Sequence, residues 1–299
     1  RSSEDASLVK ILLIGANGQL AASLRTALAD EKVVALPRQS LDISDAAAVN
    51  EIIQSVRPDV VINPAAIRRP DDCEVTPERA FAVNAIGARN LALACRSTGS
   101  ALAQVSTDNV FDGMATSPYF EDDATNPVNV YGISKLAGEQ FVKEVVERHY
   151  IIRPSARFGG TLDRARRSNF VLTLLGRDSE GLDTQVVTDQ RLSPTYTEDL
   201  ARKIAWLIRR EVYGICHITN AGDCTWYEFA RVVFEKAGLR SRLIPVTTEA
   251  LGSPARRLGY AVLGHGLLER MNSDDLPPWE DAVERYLHAL GLRPAVTVA

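Results

Sequence analysis

The chain has 299 residues, of which 45% are hydrophobic and 24% charged, with a formal net charge of -4. That length buries a large core and accommodates one big α/β unit or two domains. So mild a balance excludes the basic clustering of nucleic-acid binders, and no apolar run nears the roughly 18 residues needed to span a bilayer, so neither a nucleic-acid nor a membrane partner is expected.

The opening "RSSEDASLVK" is polar, has no apolar h-region and does not read as a signal peptide. It begins without Met and is either a trimmed leader or a non-native extension. Strands are predicted at "VKILLIG", "KVVALP", "PDVVINPA", "ALAQVST" and "YIIRPS", and helices at 18–29, 45–56, 77–98 and 129–148. Alternation at this spacing implies βαβ units and a Rossmann-type, doubly wound parallel sheet with helices on both faces. The second half is less regular: a helix near 168–177, a strand at "TQVV", a helix at 197–210, a strand at "GICHITN", then helices at 225–238 and 279–290. It reads as a smaller α/β substrate-binding lobe. The expected division is a dinucleotide domain over 8–152, with 186–212 returning to it, and a lobe built from 153–185 and 213–292. Cys73, Cys95, Cys216 and Cys224 are scattered, with no metal-ligand spacing, which fits reduced thiols in a cytoplasmic protein and no metal site.

"ILLIGANGQLAASL" reads as strand, tight turn and helix start. Gly15 allows the sharp turn, Gly18 allows backbone N–H groups close to a pyrophosphate, and Ala21 stands where a third small residue lets the helix pack on the sheet. The helix N-terminus adds partial positive charge for the phosphates. At the end of the second strand, where NAD-binding folds usually carry an acid, stands Arg38; a guanidinium there suits the 2′-phosphate of NADP, against the alternative of a solvated surface arginine. Asp42 and Ile43 follow on a turn that could border the adenine. Asn63, Ala65 and Ala66 close the third strand, at the sheet end where ligands gather. Asn84 either bonds a neighbouring loop from mid-helix or forms part of the cofactor wall.

Tyr131 and Lys135, in "NPVNVYGISKLAGEQ", lie one helical turn apart on one face. A free phenol titrates near ~10, and a neighbouring ammonium favours the phenolate. Ser106 and Thr107 end the fourth strand, where a hydroxyl can hold a substrate carbonyl. A Tyr/Lys pair alone is most often an exposed helix face. Following a phosphate turn and a Ser/Thr strand end, in this order, it becomes a candidate site.

These segments, "GANGQL", "STDNVFDG" and "YGISKLAGE", resemble the extended short-chain dehydrogenase/reductases. With "RPDVVINPAA", "VVTDQRLSPTYTEDLA", "GICHITNAGDCTWYEFAR" and "IPVTTEALGSPARRLGYAVL" the chain resembles the dTDP-4-dehydrorhamnose reductase family over roughly Lys10 to Leu290. The resemblance implies an NADPH-dependent oxidoreductase, with NADH a weaker alternative, that reduces the C4 keto group of a nucleotide sugar. It implies catalytic roles for Thr107, Tyr131 and Lys135, and cofactor contacts at Gly15, Asn17, Gly18, Gln19, Leu20, Asp42, Ile43, Ala65 and Ala66 and at Tyr131 and Lys135 themselves. It implies substrate contacts at Asn109, Arg153, Gln190, Trp226 and Arg256. Trp226 equally suits a core anchor at a helix start, and Arg256 a solvated charge. Three departures stand out. Asn109 replaces the family's usual tyrosine. Arg68 and Arg69 replace uncharged residues, as in the regulatory β subunit of methionine adenosyltransferase, which makes a non-catalytic dinucleotide-binding subunit the alternative reading. Ser23 stands where metal-bridged dimers of the family carry a glutamate, so no magnesium is expected, while a homodimer stays open. A dehydratase or epimerase is disfavoured, because Asp108–Asn109 stands where dehydratases resemble "TDE".

Overall fold

The computed structural model describes residues 8–160 and 169–292. The expectation about the chain's first residues therefore lies largely outside the described part. In chain order the first half gives β1 (Lys10–Ile14), α1 (Gln19–Ala27), β2 (Lys32–Leu36), α2 (Ala46–Val56), β3 (Val60–Asn63), α3 (Pro70–Val75), α4 (Pro77–Phe81), a π-helical turn at Ala82–Ile86, α5 (Gly87–Thr98), β4 (Ala101–Val105), α6 (Val130–Val145) and β5 (His149–Arg153). There follow β6 (Arg157–Phe158), α7 (Phe170–Ser179), β7 (Thr184–Val187), β8 (Arg191–Leu192), β9 (Thr195–Tyr196), α8 (Thr197–Arg209) and β10 (Gly214–His217). The chain finishes through β11 (Cys224–Thr225), α9 (Trp226–Ala237), β12 (Leu243–Val246), α10 (Thr248–Leu251), β13 (Tyr260–Ala261), α11 (Gly266–Arg270) and α12 (Trp279–Ala289).

The main sheet runs β10-β5-β4-β3-β1-β2, and the pairs β1–β2, β1–β3, β3–β4 and β4–β5 are all parallel. Ile11, Leu12 and Leu13 are fully buried, as is every residue of β4, so both faces of the sheet are covered, as parallel sheets require. The chain leaves β1 toward β2 on one side and returns to β3 on the other. That reversal is a topological switch point, where ligands of such sheets bind at the carboxyl strand ends. The apolar residues of α2, α5 and α6 (Val49, Ile53, Leu91, Val142) close one core against Leu12, Val61, Leu102 and Ile151. Asp45 caps α2 by accepting from the N–H groups of Ala47 and Ala48 at 3.0 and 3.1 Å.

The chain forms two compact units. Among the described residues the first holds 8–107, 130–153 and 201–215, with β1 to β5 and their helices; the second holds 108–129, 154–160, 169–200 and 216–292. Residues 108–129 and 186–200 thus group with the second unit, not with the dinucleotide domain the sequence suggested. The reason for the first is pairing: the Tyr119 N–H donates to Val262 O, Tyr260 N–H to Gly113 O, and Gly264 N–H to Tyr119 O. The second unit has its own core, in which Phe158 stacks on Tyr196 (5.5 Å between ring centroids) and meets Phe229 edge-on, with Trp279 and Tyr286 around them. Its strands are short: a parallel pair β7–β12, a three-stranded set β11-β8-β13 and a pair β6–β9. Among the described residues no helix is long and apolar enough to cross a membrane.

Candidate active site

The turn after β1 is built as the glycine pattern demands. Gly15 has φ +68°, a left-handed backbone that favours glycine, and the Gly18 N–H donates to Gly15 O at 2.9 Å. A Cβ on Gly15 would meet Ala65 Cβ at 3.4 Å, an ordinary contact, so conformation and not space makes glycine necessary here. α1 then starts at Gln19 with no side-chain cap and no acid in its first turn. Leu20 is buried beneath it, and Asn17 is exposed on the turn. Uncapped N–H groups with no competing carboxylate suit a pyrophosphate, so this end of the sheet fits a dinucleotide.

Arg38 is exposed just beyond β2, free of the sheet and suited to a 2′-phosphate. Asp42 is also exposed; the Ser44 hydroxyl (2.7 Å) and N–H (3.0 Å) hold its carboxyl below the usual range, with Arg38 a lesser contribution. Ile43 departs from expectation. Its side chain lies in the core against Gly87, and its carbonyl accepts from Asn90 at 3.0 Å, so it can border a ligand only through backbone.

The loop after β3 is fixed by two buried amides. Asn63 accepts from Ala65 N–H at 3.2 Å and donates to the side-chain oxygen Oε1 of Gln104, on β4, at 2.8 Å. Asn84, in the π-helical turn, accepts from Ile67 N–H at 2.9 Å and donates to Ile67 O and Ser134 Oγ, both at 3.0 Å. Of its two readings the loop-binding one is therefore seen: one side chain ties the segment after Ala65 and Ala66 to the helix that carries Tyr131 and Lys135. A π-turn, common at functional sites, presents it. Sequence reasoning singled out Asn84 but missed Ser134, whose signal was its place between the tyrosine and the lysine.

Lys135 is 2% exposed, and its Nζ donates to Val105 O, at the carboxyl end of β4, at 2.6 Å. Tyr131 is 5% exposed, its ring packed with Cys73 and Ala80 and flanked by Ile67 and Val130. Thr107, also buried, follows Val105 by two residues. All three belong to the first unit; the Lys135–Val105 bond sets Lys135 against the end of β4, and Tyr131 lies one turn earlier on the same face of α6. One turn further along the same helix comes a second buried charge. Glu139 receives Arg153 Nε at 3.0 Å and Arg153 Nη2 at 2.6 Å. Arg153 is 2% exposed, so its expected role as a substrate contact is corrected: the guanidinium braces α6 against β5 in a buried ion pair.

The remaining substrate candidates lie in the second unit. Asn109 donates to Asp108 Oδ1 at 2.9 Å and accepts from Asn129 Nδ2, which also donates to Arg256 O at 2.9 Å. Asp108 Oδ2 accepts from Ser155 Oγ at 2.6 Å. Asn109 thus sits in a polar network that reaches the Arg256 backbone, while the Arg256 side chain is exposed. Gln190 donates to Thr248 Oγ1 at 2.8 Å and accepts from Trp226 N–H through its carbonyl. Trp226 opens α9, edge-on to Phe170 at 4.9 Å and packed by Leu192 and Leu258, so it anchors the core with part of its ring exposed. Arg68 and Arg69 are exposed ahead of α3, where Arg69 approaches Asp72 at 3.8 Å.

Residues 9–292 match the family described as RmlD substrate binding domain. The chain belongs to that family. It is similar to the dTDP-4-dehydrorhamnose reductase of Streptomyces griseus, 39% identical over 93% of each chain. It is also similar to the spore coat polysaccharide biosynthesis protein SpsK of Bacillus subtilis, 37% identical over 94% of this chain and 97% of the relative. Among solved structures, dTDP-4-dehydrorhamnose reductase of Bacillus anthracis in complex with NADP superposes with a TM-score of 0.90 at 36% identity, covering 95% of this chain and 100% of that one.

Proposed function

We propose that this RmlD-family chain is an NADPH-dependent reductase of the C4 keto group of a dTDP-4-keto-6-deoxysugar, with dTDP-4-dehydrorhamnose as substrate and dTDP-L-rhamnose as product. The observation that carries the reading is the buried Lys135 ammonium on Val105 O, which holds the Tyr131 helix against the strand end that bears Thr107. Relatives of matching length that are named for this reaction support it.

In this reading the turn Gly15–Leu20 holds the pyrophosphate, Arg38 the 2′-phosphate, Asp42 and the Ile43 backbone the adenosine end, and Ala65 and Ala66 line the remaining wall. Bound NADPH supplies the hydride that reduces C4. Thr107 donates to the C4 oxygen and fixes the carbonyl. Tyr131 gives its phenolic proton to that oxygen as negative charge develops there. Lys135, one turn away, favours the phenolate that Tyr131 becomes and holds the nicotinamide ribose. Positioning and stabilisation of the developing oxyanion supply most of the acceleration. The second unit is read as the sugar-nucleotide lobe, with Asn109, Gln190, Trp226 and Arg256 as its proposed contacts.

The test is loss of reduced-nicotinamide absorbance when the protein, NADPH and dTDP-4-dehydrorhamnose are mixed, with product identified by NMR. Tyr131→Phe should lower turnover by about 10²–10⁴-fold, the usual range for removing a general acid. No turnover by the wild type, or full activity of Tyr131→Phe, would refute the reading.

A further inference from the structure

The proposed chemistry leaves one group at the site unused. Ser106 Oγ is buried, its residue 2% exposed, and it has no hydrogen-bond partner among the described residues. Such atoms are uncommon in folded proteins, because a buried hydroxyl that has left water forfeits its hydrogen bonds. The backbone around it is ordinary: the Ser106 N–H donates to Ile152 O, continuing the β4–β5 pairing. The orphan is the side chain alone.

Its surroundings say what it is for. Val105, the preceding residue, supplies the carbonyl that holds Lys135, and Thr107 follows. Side chains two apart on a strand share a face, so Ser106 continues the side of β4 that carries Gln104. Gln104 is directly opposite Asn63 on β3 and bonded to it, and Asn63 in turn holds the Ala65 N–H. β3 ends at Asn63, so the row of amides stops there and Ser106 extends one step past it, on the side of the Ala65–Ala66 loop. In sequence it follows Val105, whose carbonyl holds the lysine proposed to bind the nicotinamide ribose, and precedes the threonine proposed to hold the substrate carbonyl.

We infer that Ser106 is a contact residue for the nicotinamide carboxamide of the bound dinucleotide. A hydroxyl both donates and accepts, and a carboxamide offers one carbonyl and one NH₂, so either orientation of the amide satisfies Oγ. The bond would be neutral and buried, and it would orient the ring that Thr107 and Tyr131 must face. The inference rests on the dinucleotide reading of the first unit.

The test compares the wild type with Ser106→Ala and Ser106→Cys in the full chain. Binding of NADP⁺, NADPH and 2′-phospho-ADP-ribose, which lacks the nicotinamide, is measured by calorimetry and by ligand-induced shift in melting temperature. Ser106→Ala should bind NADP⁺ and NADPH about 3- to 10-fold more weakly, the worth of one neutral hydrogen bond. It should bind 2′-phospho-ADP-ribose as the wild type does. Its ligand-free melting temperature should be unchanged or raised, because an unsatisfied hydroxyl has been removed. Ser106→Cys, with a weak donor of similar shape, should fall between. Equal affinity of wild type and Ser106→Ala for NADP⁺ would overturn the assignment and leave the dinucleotide reading standing. So would a lowered ligand-free melting temperature with the same loss for 2′-phospho-ADP-ribose, which would make Ser106 a structural residue. A wild type that binds none of the three would sink the dinucleotide reading itself, and this inference with it.

Discussion

Gly138 is where the active-site helix comes closest to its neighbour. A Cβ built on it would lie 2.3 Å from the carbonyl oxygen of Asn84 and 3.3 Å from Ala88 Cβ. The obstacle at 2.3 Å is backbone, so no side chain can swing aside, and relief requires α6 and the π-helical turn to separate by about 1 Å, the shortfall from a normal carbon–oxygen contact. Overpacking of this kind typically costs about 1–3 kcal/mol. Against it, replacing a helix-interior glycine by alanine contributes about 1 kcal/mol of helix propensity. Contact with rigid backbone belongs at the upper end of the first range, which leaves Gly138→Ala destabilising by about 1–2 kcal/mol. The same displacement moves Asn84, which holds Ile67 and Ser134, so cofactor affinity should fall with stability. Urea unfolding followed by circular dichroism, together with NADP⁺ titration, reads both. A Gly138→Ala variant about 1 kcal/mol more stable than the wild type, with unchanged cofactor affinity, would show that the close approach does not constrain the fold.

Glu139→Ala should cost about 3–5 kcal/mol, because it strands the buried Arg153 guanidinium, whereas the paired change Glu139→Gln with Arg153→Met should cost much less; chemical denaturation of the two variants distinguishes them. Arg38→Ser should raise the KM for NADPH about tenfold while leaving that for NADH nearly unchanged, since only NADPH carries the phosphate it is suited to. All four cysteines are buried, and burial pushes the Cys73 thiol up to about 11, so a thiol reagent at pH 8 should label none of them until denaturant is added. The raised Cys73 value also has a stability sign: its contribution is full below the unfolded value near ~8.5 and is lost as pH rises toward about 11, so unfolding in alkali should be delayed in Cys73→Ala relative to its own neutral-pH stability.

The main sheet was readable because short apolar runs alternate with helices of clear period: the first five of its six strands and the helices near 18–29, 45–56 and 129–148 lie where periodicity put them, within a few residues, while the sixth, β10, was expected in the second lobe. The helix expected over 77–98 is interrupted by a π-turn that no local signal marks, since it exists to seat Asn84 against a loop 17 residues away. The second unit was less legible. Strands of two residues, such as β6, β8, β9, β11 and β13, carry no alternation, and their pairing comes from tertiary contacts. In the site, the glycine turn and the Tyr131/Lys135 spacing were visible because each is local. Arg153 was misread because its partner Glu139 lies in the preceding helix, and a charge at a strand end looks the same in sequence whether it meets a ligand or a buried carboxylate. For Ile43 the sequence did not show which part of the residue faces the turn: a turn residue next to an exposed acid gives no hint that its own side chain faces inward.

The first unit draws its residues from three separated stretches, the last of them 201–215, and its sheet is closed at one edge by β10. During synthesis the nascent chain therefore emits β1 through β5 long before the ribosome releases the edge strand, and the growing sheet must wait with β5 uncovered while some fifty residues that belong elsewhere pass by. A gene fragment ending after β5 would carry that same bare edge permanently. Such a fragment should aggregate and not behave as an autonomous dinucleotide module, however complete its fingerprint turn looks on paper.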